Sequence, residues 1–235
     1  MVFVLVNLYT TTMQFDLLTI FPHSLDSYFD ESILKRGQQK KLITIKTHDI
    51  RQSAEGKHQN VDDTPYGGGA GMVMKVDVVH KALKKIYPKK NKSTRVILLA
   101  PQGATFNQLE AKRLAKYKRL IFIAGRYEAI DARIEDYVDE IISVGNFVVT
   151  GGELPAACII DAVSRLIPGV VGKEESVENE SFSDISPTHV NVEHPHYTRP
   201  ETYRGSKVPK TLLSGDHAAI KLWRQKNSKK QSRIH

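Results

Sequence analysis

Glycine-rich turns follow three of the predicted strands, and they are the first feature of this sequence that could do chemistry. In chain order they are Pro101-Gln102-Gly103, Gly125-Arg126-Tyr127-Glu128, and the longer run from Gly145 to Pro155. Glycine lets a backbone approach a ligand closely and adopt positive φ angles. One such turn alone is more often only a tight turn, but open α/β sheets bind ligands beyond the carboxyl ends of their strands. Three turns at successive strand ends therefore predict one shared pocket, whose backbone amides and apolar contacts suit adenine better than a triphosphate.

Other common cofactor signatures are missing from the sequence. It has no G-x-x-x-x-G-K-[ST] phosphate loop and no G-x-G-x-x-G between a first strand and helix, which disfavours a P-loop hydrolase and an ordinary Rossmann methyltransferase. The single cysteine, Cys158, excludes an intramolecular disulfide and a cysteine-rich zinc site. Because its neighbours are apolar, we expect Cys158 to be buried, and we predict no metal-ligating residues.

A fourth glycine-rich segment runs from Asp62 to Met72 and carries a proline and a tyrosine between its glycines and two acids. A disordered surface loop is one interpretation of this composition. Flexible linkers, however, usually lack interleaved Pro, Tyr and Met. We therefore expect a functional loop that becomes ordered when ligands bind.

The charge balance suits a polyanionic partner. The chain has 34 Lys and Arg against 26 Asp and Glu, a net charge of +8, although a merely basic surface would give the same number. Arg199 and the tail around residues 226–230 are candidates for contacts with such a partner. No segment approaches the roughly 20 apolar residues of a membrane span, and the start lacks a basic leader. We expect no membrane partner and a cytoplasmic protein whose first domain begins near Met13.

The elements that must position these residues alternate between apolar runs and helical stretches. Short apolar runs bounded by turns predict strands of a parallel sheet that is covered on both faces. Ile43 and Ile45 alternate with polar residues, as in a half-buried strand. The fold class is therefore α/β with a largely parallel sheet. The predicted strands are 15–21, 96–100, 120–124 and 140–144, with 147–149 following after a turn and helices over 79–87 and 154–166.

The remainder of the chain changes character. Residues 172–186 are rich in Glu, Ser and Asn, which is typical of a mobile linker. Residues 194–200 are rich in turn formers, and Ile220 and Trp223 lie on one side of a helix predicted over 216–226. We expect the basic tail, 227–235, to be frayed.

Five strings then make the sequence recognisable, and all occur in the same order in one family. The chain resembles the bacterial tRNA (guanine-N1)-methyltransferases from about Met13 to Trp223. The strings are Asp62-Asp63-Thr64-Pro65-Tyr66-Gly67-Gly68-Gly69-Ala70-Gly71-Met72, Ala100-Pro101-Gln102-Gly103, Gly125-Arg126-Tyr127-Glu128, Thr150-Gly151-Gly152-Glu153-Leu154-Pro155 and His196-Tyr197-Thr198-Arg199-Pro200.

The resemblance implies an architecture and an activity. It implies a SPOUT-type α/β domain over 13–172 with a deep C-terminal trefoil knot, a flexible linker over 173–190, and a small, mostly helical tRNA-binding domain over 191–235 that is shorter than usual. Members act as homodimers whose active sites combine both chains. They methylate N1 of the guanosine immediately 3′ of the anticodon of tRNA.

The resemblance also implies a cofactor, S-adenosylmethionine, bound in a bent shape by the three loops after the strands. It raises Mg²⁺ as a further requirement of the reaction. The implied cofactor-binding residues are Leu98, Leu99, Ala100, Pro101 and Gly103 from the first loop, Gly125, Tyr127 and Glu128 from the second, and Val144, Gly145, Asn146, Phe147, Val148, Val149, Gly151, Gly152 and Pro155 from the third.

Two catalytic residues follow from the same resemblance. Guanine N1 must lose a proton before it can attack a methyl group, and the family uses a linker aspartate as the base. Counted from Gly172 without a gap, the matching residue is Glu180, with Glu178 as the nearby alternative. Arg165 matches the arginine that stabilises charge on the guanine O6, a surface helix charge being the alternative interpretation.

Departures from the family pattern keep two other functions in view. The chain has Ala129 and Asn146-Phe147 where relatives usually have glycine and aspartate-tyrosine, and Glu180 for aspartate. A knotted methyltransferase acting on another RNA target, such as a ribose 2′-hydroxyl, is one alternative. An RNA-binding module without catalysis is the other. The linker acid and the Asp62–Met72 loop favour methylation of a base.

Overall fold

A computed structural model describes residues 12–172, 180–182 and 189–232 of the chain. The chain divides into two compact units, Met1–Gly172 and Lys173–His235. Most of the expected linker, residues 173–190, lies outside the described residues, as does Glu178. In the first unit the elements are β1 (Met13–Thr19), α1 (Asp26–Phe29), α2 (Ser32–Gln39), β2 (Ile43–Asp49), β3 (Asp62–Asp63), β4 (Val73–Met74), α3 (Val76–Ile86), β5 (Thr94–Thr105), α4 (Gln108–Leu114), β6 (Arg119–Ala124), β7 (Ala129–Ile130), β8 (Glu140–Ser143) and α5 (Glu153–Ser164), with 3-10 turns at Ile50–Ser53 and Ala132–Tyr137.

Five strands form a parallel sheet in the order β2-β1-β6-β5-β8, which confirms the predicted α/β class. The predicted strand over 15–21 is shifted, because β1 ends at Thr19. The Thr19 hydroxyl accepts a hydrogen bond from the Phe21 N–H at 2.9 Å. A side chain that bonds its own backbone in this way competes with the ladder and ends the strand.

Both faces of the sheet are buried, which explains why its strands are continuous apolar runs. In β5, Ile97 and Leu99 pack on the side of α2, α4 and α5. Val96 and Leu98 pack on the side of α3. Since successive side chains of a strand point to opposite faces, a strand covered on both sides has no polar alternation.

The structure corrects two expectations at the end of this unit. Cys158 is exposed, because it shares the outer side of α5 with Leu154, four residues earlier, while Ala157 and Ile159 face the core. A short apolar run does not reveal which residues of a helix face outward. Residues 147–149 form an exposed loop without a strand.

The described part of the second unit mixes helices with two small antiparallel sheets. Its elements are β9 (His189–Val192), β10 (Thr202–Tyr203), β11 (Ser206–Lys207), α6 (Lys210–Leu213), α7 (His217–Asn227) and β12 (Lys229–Ser232). The predicted helix over 216–226 is confirmed as α7, and the Asp216 carboxylate caps it by accepting from the Ala218 and Ala219 N–H groups at 3.0 Å. The expectation of a frayed tail is wrong for β12, which pairs with β9. Among the described residues, no helix is long and apolar enough to cross a membrane.

Candidate functional site

A cavity of about 430 Å³ opens at the carboxyl ends of β5, β6 and β8. The three glycine-bearing loops form its walls, as the sequence predicts. All of the predicted cofactor-binding residues except Gly103 and Asn146 line it. The lining residues are Leu98, Leu99, Ala100, Pro101, Gln102, Gly125, Arg126, Tyr127, Glu128, Ala129, Ile130, Ala132, Ile134, Glu135, Ile142, Ser143, Val144, Gly145, Phe147, Val148, Val149, Thr150, Gly151, Gly152 and Pro155.

The first loop is shaped by a register shift between β5 and β8. Leu99 and Ala104 both pair with Ile142, so the four residues between them leave the ladder and form the loop. A Cβ on Gly103 would lie 2.6 Å from the backbone of Ile141. Gly103 therefore permits close packing of two backbones and does not line the cavity, while Asn146 is exposed in the third loop.

Backbone contact also joins the second and third loops. The Gly152 N–H donates to the Gly125 carbonyl oxygen at 2.9 Å. A Cβ on Gly152 would lie 2.7 Å from the Ala124 Cα. The loops that end β6 and begin α5 are therefore packed too closely for any side chain at position 152.

A buried carboxylate, Glu153, fixes this junction. It is 2% exposed in the first turn of α5, where a negative charge is favoured by the helix dipole. The Thr19 hydroxyl donates to its Oε1 at 2.6 Å, and the Arg126 Nε donates to its Oε2 at 2.9 Å. Arg126 also donates to the Thr150 carbonyl at 3.1 Å and lies 4.8 Å from the centre of the Phe21 ring. One carboxylate thus ties β1 to both loops.

The sequence prediction missed the roles of Arg126 and Glu153. Both occur within the family strings, so their positions were visible. What was not visible is that residues 27 positions apart form an ion pair, and that Glu153 reaches Thr19 across 134 positions.

The Asp62–Met72 loop docks beside the cavity. The Glu128 N–H donates to the Met72 carbonyl at 3.1 Å, and β4 pairs with β7. Gly71 has a φ of +83°, and a Cβ there would lie 2.5 Å from Glu128 Oε1. The glycine loop therefore contacts the wall residue Glu128, while Tyr66 near its tip is almost fully exposed.

Carboxylates give the cavity a charge preference. Glu128 and Glu135 both line it, and the Glu135 carboxylate accepts from Gln102 at 3.5 Å. Among the described residues of the lining, Arg126 is the only one with a cationic side chain, and it is already paired with Glu153. An uneven balance of this kind favours a ligand with positive charge.

The two predicted catalytic residues do not line this cavity. Arg165 is the residue that ends α5, ten positions after Pro155 in the wall, which places its backbone about 15 Å along the helix axis. Glu180 belongs to the second unit and is half-buried. The neighbouring Ser181 hydroxyl accepts from the Glu193 N–H at 3.0 Å, and the Phe182 N–H donates to the Asn191 carbonyl at 2.7 Å.

The fifth family string packs against α7 in the second unit. The Tyr197 ring lies 6.2 Å from the Trp223 ring, and His194 lies 6.0 Å from the same ring. His194 also lies 4.6 Å from His196. These rings form an aromatic cluster within the second unit, and Trp223 is its centre.

The fold and the cavity together define a class. An open parallel α/β sheet with a ligand-sized cavity at the carboxyl ends of its strands is a small-molecule-binding α/β protein. The cavity combines apolar walls, backbone groups and carboxylates, so its ligand is partly apolar and cationic.

Comparison with known proteins gives the family. Residues 13–235 match the family of tRNA (Guanine-1)-methyltransferase TrmD. A Dehalococcoides mccartyi protein named tRNA (guanine-N(1)-)-methyltransferase is 50% identical over 218 residues, covering 92% of this chain and 86% of that protein. Proteins of the same name from Carboxydothermus hydrogenoformans and Bacillus subtilis are 51% and 48% identical over 217 residues, with 92% of this chain and 83% and 87% of theirs covered. The chain belongs to this family, which confirms the resemblance drawn from the five strings.

Proposed function

We propose that this protein transfers the methyl group of S-adenosylmethionine to N1 of the guanosine immediately 3′ of the anticodon, position 37, of tRNA. The observation that carries the proposal is the cavity, whose three loops bear the strings that place the chain in its family. The names of relatives 48–51% identical to this chain support the same activity. The proposed substrate puts the enzyme in the cytoplasm.

The cavity fits the methyl donor. Its volume of about 430 Å³ falls within the range of roughly 300–1,000 Å³ for small-molecule sites. Leu98, Leu99 and Val144 offer apolar contacts for an adenine ring, and the loop backbones offer amides and carbonyls. Glu128 and Glu135 suit the positive charges of the amino and sulfonium groups. When bound, S-adenosylmethionine supplies a methyl carbon made electrophilic by the sulfonium.

The guanine needs a base and a cation, which Glu180 and Arg165 supply in this proposal. The Glu180 carboxylate takes the proton from N1 as the nucleophile forms. The Arg165 guanidinium stabilises the negative charge that develops on O6. Both roles come from the resemblance, with Glu178 as the alternative base.

We further propose that the active site is completed by a second copy of the chain. A difficulty for a site built within one chain is that Arg165, the C-cap residue of α5, and Glu180 are not among the residues that line the cavity. A homodimer in which the partner supplies Arg165 and Glu180 removes this difficulty. Exposed apolar and aromatic side chains near α5, namely Phe21, Tyr28, Leu154 and Cys158, offer an interface.

The finer architecture belongs to the same proposal. A deep trefoil knot in residues 13–172 is supported by the close packing of the second loop against the third and of the first loop against β8. Residues 173–190 then act as a linker, and 191–235 as a small tRNA-binding domain that includes the aromatic cluster.

The proposed requirement for Mg²⁺ rests on the resemblance alone, since no group of three His, Cys, Asp or Glu side chains among the described residues is arranged to hold a metal. Titration with a chelator during methyl transfer tests it.

Single-turnover methyl transfer to unmodified tRNA, followed by nucleoside analysis, tests the function. We expect 1-methylguanosine, and no product when the guanosine 3′ of the anticodon is replaced by adenosine. A 2′-O-methyl product would establish the ribose methyltransferase instead. Tight tRNA binding without any transfer would establish an RNA-binding module.

Substitution at the proposed interface tests the dimer. Leu154→Asp should raise the dimer dissociation constant by roughly 100-fold, because it would bury an uncompensated charge in each copy. Sedimentation equilibrium measures this, and Cys158→Ser serves as a mild control on the same side of α5. An active wild-type monomer at micromolar concentration would contradict the proposal.

A further inference from the structure

Positive charge is concentrated in two segments, residues 84–95 and 112–119, which we call the lysine rim. They hold eleven of the chain's 34 Lys and Arg residues and no Asp or Glu. Since the whole chain has 26 Asp and Glu, the remaining residues, with 23 Lys and Arg, have a net charge of −3. The net positive charge of the protein therefore comes from this rim.

The two segments form one continuous surface. The Ser93 carbonyl accepts from the Lys118 N–H at 2.9 Å and from the Arg119 N–H at 3.2 Å. Thr94 pairs with Arg119 where β5 and β6 begin. The rim therefore lies at the amino ends of these strands. The cavity lined by the three loops, which we call the donor cavity because it is proposed to hold the methyl donor, lies at their carboxyl ends. From Thr94 to Leu99 the strand alone spans about 17 Å.

The arginines of the rim stabilise the fold. Arg95 donates to Glu140 at 2.7 Å, and Arg119 donates to the buried Asp16 at 2.7 Å. Arg113 bonds to both Glu110 and Glu140. Three of the four acids that face the rim, Asp16, Glu110 and Glu140, are thus already bound by its guanidinium groups. Asp139, the remaining one, pairs with Lys90.

The lysines differ from the arginines in exposure and in partners. Lys89, Lys92, Lys116 and Lys118 are all exposed, and no described carboxylate forms an ion pair with any of them. Lys84, Lys85 and Lys112 lie in the last turns of α3 and α4, where their positive charges interact favourably with the helix dipoles. The first four lie outside the helices, so the dipoles do not account for them.

The shape and polarity of the rim favour a phosphate backbone. A concave site of about 380 Å³ is lined by Lys90, Lys92, Arg95 and Tyr117, and also by Asp139, whose charge Lys90 neutralises; it has room for phosphate groups. None of the exposed large apolar side chains of the described residues belongs to either segment, so the rim lacks the apolar contacts of a lipid- or peptide-binding surface.

We propose that the lysine rim binds phosphates of the tRNA substrate outside the anticodon loop. This rests on the proposed function, because tRNA is the polyanion that the enzyme must hold. Four exposed ammonium groups without carboxylate partners would each release counterions from RNA on binding. The rim is then an affinity surface, separate from the donor cavity.

The test replaces the four lysines together, as Lys89→Gln, Lys92→Gln, Lys116→Gln and Lys118→Gln, in the full chain. We expect the slope of log tRNA affinity against log salt to become shallower by about 3, and affinity near 0.1 M salt to fall by about 10-fold or more. In steady-state methyl transfer, KM for tRNA should rise while kcat and S-adenosylmethionine affinity stay unchanged. The matched control carries the same charge change at Lys35, Lys40, Lys46 and Lys57, which are exposed elsewhere on the unit.

Each outcome has a separate meaning. An unchanged salt slope in a folded, active variant would overturn the role of the rim and leave the proposed function intact. An equal loss in the control would also overturn it, because the effect would then follow net charge and not position. Failure of the unsubstituted protein to methylate tRNA would instead refute the proposed function.

Discussion

Two buried carboxylates in the first unit have almost the same local chemistry and different consequences. Asp16 is fully buried and bonds to Arg119 at 2.7 Å, and Glu153 is 2% exposed and bonds to Arg126 at 2.9 Å. Asp16 joins strands, since its partners belong to β2 and β6. Glu153 joins loops, since its partners end β1 and border the donor cavity.

The comparison shows that the elements joined by a buried ion pair determine which property of the protein the pair affects. A pair between strands contributes to the stability of the sheet. A pair between loops contributes to the shape of the cavity. Neither pair contains the proposed catalytic base, which lies in the second unit, so three substitutions separate catalysis, cofactor binding and folding.

The largest effect is expected at Glu180. Glu180→Gln keeps size and polarity but loses the proton acceptor, so single-turnover methyl transfer should fall by roughly 10²–10⁴-fold. Cofactor affinity, measured by calorimetry, should barely change, because the cavity proposed for the cofactor is lined by the three loops and not by Glu180. Glu180→Asp should retain substantial activity.

Glu178→Gln is the matched control for this substitution and should be mild. A near-normal rate in Glu180→Gln would make Glu180 one of several solvated acids of its segment. A strong loss in Glu178→Gln alone would transfer the role of the base to that residue.

The second-largest effect, on cofactor binding, is expected at Glu153. Glu153→Gln keeps the side-chain shape but loses the charge that binds Arg126, and a hydrogen bond between charged groups is worth about 1.5–3 kcal/mol. KM for S-adenosylmethionine should rise by about 10–100-fold while kcat at saturation changes little. Thr19→Val leaves the ion pair intact and removes the neutral partner of Glu153, together with the acceptor of the Phe21 N–H, so it should have a smaller effect on KM.

Thermal unfolding keeps this prediction distinct from simple destabilisation. A variant that loses stability but binds the cofactor normally would remove Glu153 from any role in shaping the cavity. The contrast with Asp16 would then disappear.

The smallest effect on activity is expected at Asp16, together with a loss of stability. Burial raises the pKa of the Asp16 carboxyl, but hydrogen bonds from His48 and Arg119 outweigh it and hold the pKa below 3.8. The ionised carboxyl therefore stabilises the fold above pH 3.8, and this contribution is lost as the pH falls through the lower pKa of the folded state.

Asp16→Asn should lower the free energy of unfolding at pH 7 by about 3 kcal/mol, as breaking one partner of a buried pair does. Below pH 4 the difference from the unsubstituted protein should shrink, which urea unfolding across that range measures. Cofactor affinity should stay normal below the unfolding transition. A weakened affinity would show that the two ion pairs are coupled.

Much of the first unit follows from local pattern. The apolar runs of β5 and β6 and the glycines after them predict strands, a parallel sheet and one shared cavity, because each signal depends on neighbours in sequence. The helix α7 was predictable from Asp216 and the spacing of Ile220 and Trp223 for the same reason. The exposure of Cys158 and the pairing of β12 with β9 could not be predicted in this way, because both depend on which distant residues pack against or pair with an element.

The sequence by itself determined the α/β class, the family and the presence of one cavity at the carboxyl ends of the strands. Only the tertiary structure decided that Arg126 and Glu153 fasten the loops, that Arg165 is not among the residues lining the cavity, and that the lysines of two separate segments form one surface. The physical reason is that strand order, which no local pattern encodes, brings together residues as far apart as Thr19 and Glu153, 134 positions away.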